Sequence, residues 1–170
     1  MTVPLSTIKA ALKIDYSDDD TELVRLRESA WSFIERSTQL VLSPTAQTLY
    51  LTKWEDILLP VHPFRSVTSV QYTYDGNVLV LSASSWWIDR TDMMPVLKWI
   101  DKPQIDPNTA ITVTYSAGFD QLPGELTHCI IALVGAWYSN PEAVQPVAMQ
   151  QVPMSVQWIL DTMSVRSAMR

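Results

Sequence analysis

The spacing of apolar residues changes period twice along this 170-residue chain, and that limits the folds open to it. Leu5, Ile8 and Leu12 recur at helical spacing, and after the turn-forming DYSDDD a second stripe runs through Leu23, Leu26, Ala30, Phe33, Ile34 and Ser37. From Gln47 the pattern becomes strand-like: QTLYLTKW, ILLP, SVTSVQYTYDGNVLVL, WWIDR, VLKWI and TAITVTYSAGF are short runs punctuated by Pro60, Pro63, Pro95, Pro103 and Pro107. At QLPGELTHCIIALVGAWYSNPE it turns helical again, with Leu126, Ile130, Leu133 or Val134, and Trp137 on one stripe. Such a layout predicts an α+β fold, in which N- and C-terminal helices pack as a core and a small antiparallel sheet is inserted between them.

The expected elements are helices over 4–14, 20–39 and 123–139 and a β-rich insertion over about 45–116. Together they make a core over 1–142, followed by an extended arm over 143–170 with a short helix at about 155–163. Asp19 or Asp20 is expected to cap the second helix, Pro123 suits the first turn of the third, and Ser155 is expected to cap the last. Asp75-Gly76-Asn77 predicts a hairpin turn. Gly135, inside a helix, is expected where another helix approaches closely, the long second helix being the natural candidate. The predicted core comprises Leu23, Leu26, Phe33, Ile34, Leu126, Ile130, Leu133 and Trp137.

Between Ala143 and Leu160 the chain carries Val, Met, Trp, Ile and Leu but no charged residue. A segment of that composition needs a surface to pack on, whether its own core, a neighbouring copy or another protein. Trp86 and Trp87 are adjacent in a strand-like run and so face opposite ways. With Met93 and Met94 they are candidates for lateral contact, burial within the subunit being the alternative.

Catalytic and cofactor signatures are missing. The two histidines, His62 and His128, have no partner at a useful spacing, and His128 and Cys129, adjacent on a helix, point apart. The four glycines form no phosphate nest, and no spacing suits a metal. Eighteen acidic against 12 basic residues, a net charge of −6, argue against a protein whose main task is gripping phosphates. A single cysteine precludes an intrachain disulfide, and the most apolar run, CIIALVGAWY, is too short for a membrane span, so a soluble chain in a reducing compartment is expected. The expectation is therefore a protein that is not an enzyme and takes no cofactor or metal.

The order of these segments resembles that of the tailed-bacteriophage head-tail connector (adaptor) proteins. LSTIKAALKIDYSDDDTELVRLRESAWSFIERST is similar to the family's opening of short helix, acidic linker and long helix ending in Glu-x-x-Thr. LLPVHPFRSVTSVQY places Pro60, Pro63, Ser66, Val67, Ser69 and Val70 at the family's L-P-x-x-P-x-x-S-V-x-S-V positions. ITVTYSAGFDQLPGELTHCIIALVGAWYSNPE supplies Tyr115, Gly118, Pro123, Trp137 and Tyr138 in the family's order, and VPMSVQWILDTM is similar to its closing segment. The resemblance implies a structural ring of identical subunits, usually twelve, at the head-tail interface of a virion assembled in the host cytoplasm. Its partners would be the portal protein and a stopper or tail-completion protein, with DNA passing through the centre and no membrane involved. The implied contact residues for portal or neighbouring subunit are Val144, Val147, Met149, Val152, Met154, Trp158, Ile159 and Leu160. The alternative is another oligomeric tail-completion or virion structural protein not bound to the portal, its last helix folded back on its own subunit.

Overall fold

The computed structural model describes residues 2–91, 94–140 and 152–164. The chain forms two compact units, one from residues 1–43 and 119–170, the other from residues 44–118.

The first unit is helical, with α1 (Leu5–Leu12), α2 (Asp20–Thr38), α3 (Gly124–Ser139) and α4 (Met154–Met163). α1 stops because Lys13 adopts a left-handed conformation at φ 58°, and Ile14 N–H then bonds back to Lys9 O at 3.0 Å. α2 ends the same way at Gln39, φ 61°. Just before that end, the buried Thr38 hydroxyl donates to Ile34 O at 2.8 Å and accepts from Leu40 N–H.

The acidic start of α2 works differently from a simple cap. Asp19 occupies the N-cap position but makes no side-chain cap bond. Its carboxylate instead accepts the Tyr138 hydroxyl at 2.5 Å, while Asp20 pairs with Lys9 at 2.6 Å, so the two carboxylates fasten α2 to α3 and α1.

α2 and α3 bury their apolar stripes against each other. Leu23, Leu26, Ala30 and Ile34 meet Leu126, Cys129, Ile130, Leu133 and Val134, each at most 1% exposed. Burial of each large side chain stabilises by roughly 1.5–3 kcal/mol. Phe33 and Trp137 are half-buried at the margin of this cluster and meet edge to face, ring centroids 6.2 Å apart. Ser37, read into the α2 stripe, is exposed, and Thr38 takes the inward position. The helix that approaches Gly135 is α1: a Cβ there would lie 2.8 Å from Leu12 Cδ2. The expectation of α2 is corrected accordingly, because α2 meets α3 through the stripe carrying Ile130 and Leu133, and Gly135 lies off that stripe.

The second unit holds β1 (Thr45–Leu51), β2 (Ile57–Leu58), β3 (Phe64–Tyr74), β4 (Asn77–Val80), a 3-10 turn at Ala83–Ser85, β5 (Trp86–Asp89), β6 (Val96–Trp99) and β7 (Ile111–Ala117). They form two antiparallel sheets where the sequence suggested one, in the orders β1-β7-β3-β4 and β2-β6-β5. Both sheets feed one apolar cluster that includes Leu59, Val70, Leu97, Trp99, Ile111, Val113 and Tyr115. A pair of sheets can cover each other's apolar faces, whereas one seven-stranded sheet would leave a face uncovered. β7 shows the alternation most clearly: Ile111, Val113, Tyr115 and Ala117 are buried and Thr112, Thr114 and Ser116 half-exposed.

β3 and β4 are joined by Asp75 and Gly76, both at positive φ (52° and 71°). The turn is pinned from outside, since the Asp106 carboxylate accepts Asp75 N–H at 3.0 Å and Gly76 N–H at 2.9 Å.

Candidate interaction surfaces

α4 begins directly after Pro153, whose carbonyl accepts Gln157 N–H at 3.0 Å. Ser155 lies inside the helix and is not its cap, because Pro153 fixes an extended backbone one residue before Met154 and the helix starts there. Gln157 Nε2 donates to Asp161 Oδ1 at 2.8 Å along the exposed side.

The helix has two apolar faces. Val156 and Leu160, four residues apart, are 0% and 1% exposed, and Val152, Ile159 and Met163 pack half-buried beside them on the α2–α3 core. Met154 and Trp158, also four residues apart, project outward at 90% and 72% exposure. Leu160 is therefore removed from the set of outward contacts, because the 3.6-residue period that turns Trp158 to the surface turns Leu160 to the core. Val144, Val147 and Met149 lie outside the described residues, as does Met93.

Of the lateral candidates, Trp86 is half-buried against the sheet cluster and Trp87 is exposed, as opposite sides of β5 require. Lys98 sits 5.2 Å from the Trp87 ring centroid while its ammonium pairs with Asp89 at 2.7 Å. That ammonium, with bonds from Thr91, holds the Asp89 carboxyl well below its usual range. Met94 is half-buried.

Among the described residues, the histidines and the cysteine form no nucleophile–base pair. His128 is exposed and Cys129 fully buried on adjacent positions of α3, and burial, with the Glu125 charge, pushes the thiol up. His62 is buried, Nε2 has no hydrogen-bond partner, and desolvation depresses its pKa. Among the described residues no cluster of three or more His, Cys, Asp or Glu could hold a metal ion, and no helix is long and apolar enough to cross a membrane. A hollow on the helical unit lined by Thr2, Arg27, Glu28, Trp31 and Ser32 measures about 170 Å³. Small-molecule sites usually start at roughly 300 Å³.

Sequence reasoning missed the edges of the four-stranded sheet. Tyr50 on β1 is 72% exposed, and Val78 and Val80 on β4 are 68% and 67% exposed. The signal was present in the uncharged NVLV that follows the Asp-Gly turn.

No protein-family model matches the chain, and no curated protein does. Solved structures do. A chain in the neck of an empty gene transfer agent particle, computed with C6 symmetry, is similar with a TM-score of 0.74 and 21% identity, over 96% of this chain and 89% of that one. The fold is that of a chain from a particle neck. A chain in the virion of the native gene transfer agent particle matches with a TM-score of 0.73 at 20% identity, again over 96% and 89%. A third match, from the neck of the native particle computed with C12 symmetry, has a TM-score of 0.67 at 19% identity, over 96% and 92%.

Proposed function

We propose that this chain is a structural subunit of a phage-like virion neck, standing as one copy in a ring between the portal and the tail or stopper. The observation that carries the reading is the likeness to neck chains over 96% of this chain and about nine-tenths of theirs, helical and β-rich units both included.

In this reading α4 is anchored to its own subunit by Val156 and Leu160 and presents Met154 and Trp158 to the portal. The uncharged stretch that precedes it adds Val144, Val147 and Met149 to the same junction. Repeating one modest contact around the ring gives strong attachment through effective concentration. DNA passes through the centre, and the net charge of −6 suits a passage that must not trap a polyanion.

The inward packing of Val156 and Leu160 also favours a second reading, an oligomeric tail-completion protein away from the portal whose α4 only seals its own core. Copy number and attachment separate the possibilities. Quantitative mass spectrometry of purified particles should give about twelve copies, the order of the C12 necks, co-purifying with portal after tails are removed. Hundreds of copies, or none, would reject a neck role, and twelve copies that leave with the tail would favour the second reading.

A further inference from the structure

We infer that neighbouring copies of this chain join by edge-to-edge strand pairing, β4 of one copy accepting β1 of the next, so that the four-stranded sheet continues from subunit to subunit. The inference rests on the ring reading above and names the surface through which that ring closes.

β1 and β4 are the two edges of the sheet, and its order β1-β7-β3-β4 is antiparallel at every step. β1 therefore runs opposite to β4, and a second copy's β1 laid beside β4 extends the same alternation without reversing either chain. The contact is head to tail, using two different edges, which is the kind of interface that generates rings.

Neither edge is blocked by charge, proline or a bulge. TAQTLYL and NVLV contain no charge and no proline, and the register shifts of the sheet fall in β3 and not at its edges. The smaller sheet is protected: β2 has only two residues, between Asp56 and Pro60, and β5 carries the Asp89–Lys98 ion pair.

The residues along one cross-strand row fit this use. Tyr50 pairs with Thr112, Thr112 with Gln71, and Gln71 with Val80. The row is polar in its middle and apolar and exposed at both ends, with Tyr50 at 72% and Val80 at 67%. The neighbouring rows on this face, Thr48–Thr114–Ser69 and Ala46–Ser116–Ser66, are small or polar throughout. Large apolar side chains at both rims of an otherwise polar face suit a sheet whose rims meet. Continuing the row into a second copy puts Tyr50 of that copy against Val80. It also sets Leu51 against Leu79, which is 39% exposed, and Lys53 opposite Asn77, beside the Asp75 carboxylate. Asp106, by holding Asp75 and Gly76, keeps the β4 edge in place before the partner arrives.

The test uses the full chain carrying Tyr50→Cys and Val80→Cys, incorporated into particles and treated with a short bismaleimide. Both positions are exposed, so folding is spared, and the buried Cys129 does not react. The expected result is a denaturing-gel ladder of dimers, trimers and higher multimers from the double variant and none from either single variant. Chain incorporated at the parent level but remaining monomeric on the gel would overturn edge pairing while leaving the ring intact. Dimers from Val80→Cys alone would overturn the head-to-tail arrangement, and a parent copy number of one per particle would instead remove the ring reading itself. As an independent check, Val78→Lys with Val80→Lys should fold yet fail to enter particles, and undiminished incorporation would contradict the inference.

Discussion

Trp158→Ala separates the outward face of α4 from its inward one. The side chain is 72% exposed, so truncation removes little that holds the subunit together, and unfolding free energy should move by no more than about 0.5 kcal/mol. Its value lies in what covers it. A Trp side chain presents roughly 150–250 Å², of which about 110–180 Å² is still available for burial by a partner. At about 25 cal/mol per Å² that corresponds to ~3–4.5 kcal/mol. Ordering the side chain opposes this by about 0.5–1.5 kcal/mol, leaving a net loss of about 1.5–4 kcal/mol on truncation. The affinity of the full chain for purified portal rings, measured by sedimentation, should then fall roughly 10- to 1,000-fold with an unchanged thermal melt. A dissociation constant within about threefold of the parent, at matched stability, would refute the assignment of this face to the portal.

Leu160→Ala should behave in the opposite way, lowering the unfolding free energy by about 2–4 kcal/mol through the cavity it leaves, measured by urea denaturation followed by tryptophan fluorescence. Asp106→Ala removes both bonds to the hairpin turn and should raise amide exchange at Asp75 and Gly76, with about 1–2 kcal/mol lost locally and no change in the helices by hydrogen-exchange mass spectrometry. The depressed pKa of His62 carries a defined sign: near pH 6.5 the unfolded chain binds the proton more readily than the folded one, so this residue costs stability as pH falls through that region and nothing well above it. The urea midpoint of His62→Gln should therefore drop less between about pH 7.5 and pH 5.5 than that of the parent, and parallel curves would count against it.

Much of the fold was legible because period and punctuation agree. The α2 and α3 stripes, the Asp-Gly turn and the β7 alternation each follow from a local pattern matched to one face of one element. Features set by tertiary partners were not legible. Asp19 looks like a cap until Tyr138 is brought beside it, and Gly135 gives no hint that Leu12 is its neighbour. Two sheets in place of one depend on how apolar faces cover each other, which no single strand encodes. The composition of α4 shows that it is apolar, but only the helix phase shows that Val156 and Leu160 turn inward while Met154 and Trp158 turn outward. The edge residues Tyr50, Val78 and Val80 were overlooked because exposure at a sheet rim depends on strand order, which emerges only once β1, β7, β3 and β4 are paired.

The most direct measurement is a reconstruction of the assembled neck at side-chain resolution, read at α4. The account predicts Val156 and Leu160 against α2 and α3 of the same copy, with side chains of a different protein within about 4 Å of Met154 and Trp158. Met154 and Trp158 lying in solvent, or covered only by their own chain, would contradict it.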